Sequence, residues 1–297
     1  MRLLSYWEAG TLRAGIEEDG QVLDAAAVHD FGAAPPTVRR LLEAEPERLA
    51  QTLGRAADTI GRGGPGLRSL DLVRLGPPVP DPDKIICLGY NYAEHARESE
   101  KDIPVAPNLF AKFRNCLVGR FDPVRLPAAS REVDYEGELA VVIGRRCRDV
   151  DESRALEFVA GYSVLDDVSA RDLQYRTGQY TAGKALDTFA PMGPGIALAA
   201  SVPDPQRLRI VTRLNGEIVQ DGNTAEMVFS VAATIGFISS LITLEPGDVI
   251  ATGTPTGVGH RRVPPVYLRP GDTVEVEIEG VGSISNPIVA PEPRRPA

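Results

Sequence analysis

Apolar positions recur in two textures along the chain. Near the start, Arg2–Tyr6, Thr11–Glu17 and Gln21–Asp24 are short β-prone runs, parted by Gly10 and by Asp19-Gly20. An Asp-Gly pair supplies the positive backbone angles of a two-residue hairpin turn, so these runs predict three strands. From Pro36 to Ile60 the apolar residues Val38, Leu41, Leu42, Leu49, Leu53, Ala56 and Ile60 return at helical spacing. That pattern predicts a helix, stopped by Gly61, Gly63, Gly64 and Gly66. The proline-rich stretch Gly76-Pro77-Pro78-Val79-Pro80-Asp81-Pro82-Asp83 is a stiff connector. It predicts a small N-terminal α+β domain over 1–76, a linker over 77–83 and a larger body over 84–290. Residues 291–297 predict a frayed tail.

Past the connector, Lys84–Gly89, Gly137–Gly144, Gly161–Leu165, Arg207–Asn215, Asp248–Gly253 and Asp272–Glu279 are strand-like and bounded by Gly or Pro. A helix is expected from Asp151 to Ala160, capped by the aspartate and closed by Gly161. The longest uncharged run, Phe229 to Leu244, is too short for a membrane span and carries five hydroxyl side chains, so it reads as a buried helix. Strands outnumber helices without βαβ alternation, which favours a β-rich α+β fold over a doubly wound sheet.

Composition narrows the function. The 297 residues carry 32 basic and 41 acidic side chains, a net charge of −9, with no Lys/Arg cluster. Such a surface does not suit a nucleic-acid phosphate backbone. Met1 to Glu8 reaches an acid before any apolar signal-peptide core, so a cytoplasmic protein with no membrane partner is expected. Cys87, Cys116 and Cys147 are widely spaced and odd in number, which excludes a closed disulfide framework and any Cys-x-x-Cys site.

The sharpest chemistry lies in Asp134-Tyr135-Glu136-Gly137-Glu138-Leu139-Ala140-Val141-Val142-Ile143-Gly144. On a strand, Glu136 and Glu138 project to one side while Leu139, Val141 and Ile143 line the other. Two carboxylates entering so apolar a strand repel each other and lose hydration, and a divalent cation relieves both penalties. The alternative is an exposed margin where both acids face water. In Asp166-Asp167-Val168-Ser169-Ala170-Arg171-Asp172, the acids are either a third carboxylate source or a helix cap. Arg171 and Gln174 would then share one helical face. In Gly89-Tyr90-Asn91-Tyr92-Ala93-Glu94-His95-Ala96-Arg97-Glu98, a helix sets His95 and Glu98 three apart, as a general base with its orienting acid or as an ordinary surface pair. Lys184 and the loop Thr252 to Gly259 complete the candidates. No Walker A, Gly-x-Ser-x-Gly or His-Glu-x-x-His pattern occurs.

Taken in order, these segments, with Leu109-Phe110-Ala111-Lys112, Asn215-Gly216-Glu217, Pro246 to Pro255 and Gly257-Val258-Gly259, resemble the fumarylacetoacetate hydrolase family. Within it they are nearest the acylpyruvate hydrolase and 2-hydroxyhepta-2,4-diene-1,7-dioate isomerase branch. The resemblance spans Asp83 to Val289. It implies a mixed β-roll or distorted barrel, commonly a homodimer. It implies Glu136, Glu138 and Asp167 as metal ligands, a His95–Glu98 catalytic dyad, and Lys184 at the substrate beside Arg171, Gln174 and Thr254. An all-oxygen donor set suits Mg²⁺ or Mn²⁺, with Ca²⁺ also able to occupy it. The expected activity is metal-dependent C–C hydrolysis of an acylpyruvate-type oxo acid through an enolate, with decarboxylation or isomerisation as alternatives. A non-catalytic metal-binding dimer is the alternative of another class. The loop Ser99-Glu100-Lys101-Asp102-Ile103-Pro104 is either a lid over the site or a solvated connection.

Overall fold

Strand pairing organises the computed structural model, which describes residues 1–292; from residue 293 onward the expected tail lies outside the described residues. An 11-stranded sheet, a 5-stranded sheet and a 2-stranded ribbon carry the fold, in the β-rich α+β manner expected. Both larger sheets mix pairing senses. Val249–Ala251, for example, runs parallel to Ile85–Gly89 and antiparallel to Gly137–Ile143. The sheet paths stay open rather than closing into a barrel: one ends at Arg68–Ser69 and Asn108–Lys112, the other at Glu217–Asn223 and Val124–Arg125.

The strand Gly137–Ile143 lies inside the large sheet, between Val159–Asp166 and Val249–Ala251, and every residue of it is buried. Its alternation therefore divides between two cores. Leu139, Val141 and Ile143 join Tyr135, Val164 and Ile235, while Ala140 and Val142 join Ile85, Leu165 and Met192. The N-terminal strands Arg2–Glu8, Thr11–Glu18 and Gln21–Asp24 form a meander. Its second turn uses Asp19 and Gly20 at φ of 50° and 75°, the left-handed pair that a type I′ turn requires. Arg2 and Leu3 pair with Ala197 and Ile196, and Leu3, Ala14 and Ile16 pack into the same core as Ala140 and Val142.

Three local expectations are corrected. The helix from Pro36 to Ile60 is two helices, Val38–Leu42 and Pro46–Gly61. Pro46 lacks an N–H and forces Glu45 into an extended conformation, so the first helix cannot run through it. The helix expected from Asp151 is a 3₁₀ segment, Glu152–Phe158, and Val159 already begins the next strand. Gly161 is no helix stop. A Cβ there would lie 2.0 Å from the carbonyl oxygen of Ala197, so the residue permits close strand approach. Strands over Asn108–Lys112, Ala190–Leu198, Glu217–Asn223 and Gly282–Val289 were not evident from pattern. The uncharged run does contain a helix, Val231–Leu241, capped where Ser230 Oγ accepts from the Ala233 N–H at 3.0 Å. Among the described residues no helix is long and apolar enough to cross a membrane. All three cysteines are buried and free.

Candidate active site

Segments far apart in sequence meet around Glu136. Val133–Asp134 pairs with Ser169–Ala170. The Asp167 N–H donates to Glu136 O at 2.8 Å, and the Glu136 N–H donates to Asp166 Oδ1 at 2.8 Å. Asp166 thus clamps the turn that presents Asp167. Burial pushes the Asp166 carboxyl up to about 7, against the bond from Glu136. The acid pair is no helix cap, because Arg171–Gln174 starts at Ala170 with no side-chain cap bond. Nor do Glu136 and Glu138 face water, since both are buried.

Carboxylate oxygens of Glu136, Glu138 and Asp167 lie within 4.8 Å of one another. The environment sets them apart electrostatically. Burial, then the charges of Asp167 and Glu136, push Glu138 well above the ordinary carboxylate range. Glu136 is held low despite burial, because Lys184 and Arg171 stand beside it. Lys184 Nζ is 2.6 Å from Glu136 Oε2 and 2.7 Å from Asp167 Oδ2. Burial opposes the Lys184 charge, yet Asp167 and Glu136 keep the ammonium above its usual range. Lys112 Nζ lies 2.7 Å from Asp167 Oδ1, but it donates to the carbonyls of Val168, Lys184 and Phe189, leaving that oxygen without a hydrogen-bond donor. Three crowded oxygen donors, one of them destabilised as an anion, fit a hard divalent cation.

The dyad stands on the next element. The strand Ile85–Gly89 leads through Tyr90, at φ 59°, into the helix Ala93–Glu98. Asn91 anchors this corner: its Nδ2 donates to Phe229 O and Thr252 O, and its Oδ1 accepts from the Phe229 N–H. His95 Nδ1 is 3.3 Å from Glu98 Oε2, and the Gly257 N–H fixes Glu98 by donating to Oε1 at 3.0 Å. The expected pair therefore forms, with His95 only 6% exposed.

A narrow cavity, with only about 20 Å³ of free volume, opens between these groups. His95, Glu136, Glu138 and Lys184 line it, as do Arg171, Gln174 and Thr254. Glu98 and Asp167 stand behind that lining. Arg171 is held between two carboxylates: Nε and Nη2 donate to Asp134 Oδ2, while Nη1 contacts Glu136 Oε1 at 2.6 Å and Gln174 Oε1 at 3.1 Å. Thr254 Oγ1 donates to Gly137 O and accepts from Gln220 Nε2. Of the expected lid, only Ser99 reaches the cavity. Sequence reasoning passed over Asp134, whose carboxylate also accepts from the Tyr135, Gly259 and His260 N–H groups. It missed Lys112 and Arg261 as well; apart from Tyr135, the partners of all three are distant in the chain.

A mixed sheet gathers carboxylates, a charged lysine and a His–Glu pair around a small cavity, the composition of an enzyme site. Residues 84–289 match the model for the fumarylacetoacetate (FAA) hydrolase C-terminal region, and the chain belongs to the fumarylacetoacetate hydrolase family. It is 41% identical over 295 residues to oxaloacetate tautomerase fahd2, mitochondrial, of Xenopus laevis, covering 97% of this chain and 90% of that one. A putative HpcE protein from Mycobacterium smegmatis superposes with a TM-score of 0.84 at 35% identity, over 98% of this chain and 100% of the other. Maleylpyruvate hydrolase from Sphingobium.sp SYK-6 gives 0.79 at 33% identity, over 98% and 100%. The protein is thus an enzyme of the family's acylpyruvate hydrolase and isomerase type, and the non-catalytic reading is set aside.

Proposed function

We propose that the protein interconverts the keto and enol forms of a small 2-oxo acid, with oxaloacetate the first candidate and His95 the proton carrier. The observation that carries this reading is His95 held at 3.3 Å by Glu98 on the wall of the cavity that Lys184 and the carboxylates line. Glu136, Glu138 and Asp167 would hold a divalent cation, which when bound supplies positive charge that acidifies the carbon next to the oxo group.

Each remaining step falls to the chain's own groups. The bond to Glu98 assigns the His95 proton to Nδ1, which leaves Nε2 basic and oriented. Nε2 takes a proton from carbon and returns it to oxygen, or the reverse, and no water need enter. Lys184 spends two of its three N–H groups on Glu136 and Asp167, so one is free for developing negative charge on the substrate oxygen. Gln174 accepts from Arg171 through Oε1 and keeps its NH₂ for the ligand. Arg171 and Thr254 act by holding this frame.

The second reading, hydrolysis of an acylpyruvate, is favoured by the similarity to maleylpyruvate hydrolase. The same His95 would then deprotonate a water. The test follows the enol of oxaloacetate and deuterium entry at its methylene in D₂O, with Mg²⁺ and with EDTA, beside acetylpyruvate. Metal-dependent acceleration for oxaloacetate is expected. His95→Ala should lower it about 10²–10⁴-fold with unchanged metal content. No acceleration, with acetylpyruvate cleaved to acetate and pyruvate, would replace tautomerisation by hydrolysis.

A further inference from the structure

Three cationic side chains line the cavity, and they differ in what balances them. Lys184 sits between Glu136 and Asp167, and Arg171 between Asp134 and Glu136. Arg261, also in the wall, forms no ion pair among the described residues. Its Nη2 donates to Ser99 O at 2.8 Å, which fixes it next to the helix that carries His95 and Glu98. Its Nε is buried with no hydrogen-bond partner. Polar atoms withdrawn from water are normally bonded, and a guanidinium fork matches a carboxylate in shape and charge. A carboxylate on the ligand would supply that acceptor.

We infer that Arg261 reads a second carboxylate on the substrate, making the enzyme selective for 2-oxo dicarboxylic acids over their monocarboxylic counterparts. This rests on the oxo-acid reading above and adds to it a specificity-determining residue. Neighbouring groups leave the task to Arg261. Arg171 and Lys184 are already matched by carboxylates. His260 is kept uncharged near neutrality, because burial and then Arg171 and Arg261 push its imidazole below the ordinary value. Its Nδ1 is engaged with Tyr267 Oη at 2.9 Å. Arg262 turns elsewhere, donating to Tyr135 Oη and Val219 O.

The experiment compares calorimetric affinities of the Mg²⁺-loaded protein for oxaloacetate, 2-oxoglutarate and 2-oxoadipate with those for 2-oxobutyrate, 2-oxovalerate and 2-oxohexanoate. At the chain length that spans the cavity, the diacid should bind roughly 10–100-fold more tightly, the range of charge-assisted hydrogen bonds. Arg261→Met should abolish that preference while leaving monoacid affinity in place, and Arg261→Lys should keep part of it. Arg262→Met should leave it untouched. An undiminished preference in Arg261→Met, an equal loss in Arg262→Met, or no preference in the unaltered protein overturns the assignment while the oxo-acid reading stands. Failure of all six acids to bind overturns that reading, and the assignment with it.

Discussion

Asp134 shows how much of the site hangs on one side chain. Its two oxygens accept from Arg171 and from three backbone N–H groups, of Tyr135 in the link just before Glu136 and of Gly259 and His260 in the glycine loop. Asp134→Asn removes the charge that Arg171 answers, leaving a buried guanidinium to lean on Glu136 alone. Breaking one side of a buried pair costs about 3–5 kcal/mol, so denaturant unfolding should register a loss of that order, and turnover should fall with it. A variant that unfolds at the same denaturant concentration would contradict the hub role. Short-range spacing made Glu136, Glu138 and the His95–Glu98 pair legible: the helix period puts His95 beside Glu98, while Glu136 sits just before the strand Gly137–Ile143 that carries Glu138. Lys112 was opaque for the opposite reason: its partners are the carbonyls of Val168, Lys184 and Phe189, and only the folded chain brings them near.

At the level of elements, the N-terminal meander carries its own pH dependence. Tyr6 donates to Asp24 Oδ2 at 2.6 Å, and Arg13 Nε donates to the same oxygen at 2.6 Å. Burial first, and then Asp24, push the Tyr6 phenol up to about 12 from its ordinary 10.0. Burial of Asp24 acts the other way, but bonds from Arg13, Tyr6 and the Ala26 N–H hold it below 3.8. The phenol's contribution is thus complete below pH 10 and lost as pH rises toward 12, whereas the carboxylate's is complete above pH 4 and lost on acidification. Unfolding free energy measured across pH should fall on both sides. Tyr6→Phe should flatten the alkaline limb and Asp24→Asn the acid one; limbs unchanged in both variants would refute the scheme. The meander strands were legible from their turn residues. Ala190–Leu198 was hidden by Pro191, Gly193, Pro194 and Gly195, residues that local propensity assigns to loops and that three paired strands hold extended.

For the molecule as a whole, a divalent ion held by Glu136, Glu138 and Asp167 would couple its binding to folding. A ligand present at 100 times its dissociation constant adds about 2.7 kcal/mol, so saturating Mg²⁺ or Mn²⁺ should raise the melting temperature by roughly 5 °C over an EDTA control. Glu138→Gln should melt alike with and without the ion. An increment that survives that substitution would place the ion elsewhere.

Arg2 and Leu3, laid along Ala197 and Ile196, close the margin of a sheet whose face is apolar. Without the first 83 residues, that margin would offer bare N–H and C=O groups to any passing chain, beside surface that Leu3, Ala14 and Ile16 no longer cover. A fragment of residues 84–292 should therefore self-associate progressively in light scattering at concentrations where the full chain stays discrete. The opening strands thereby act as a built-in guard against aggregation for the very segment that holds the chemistry.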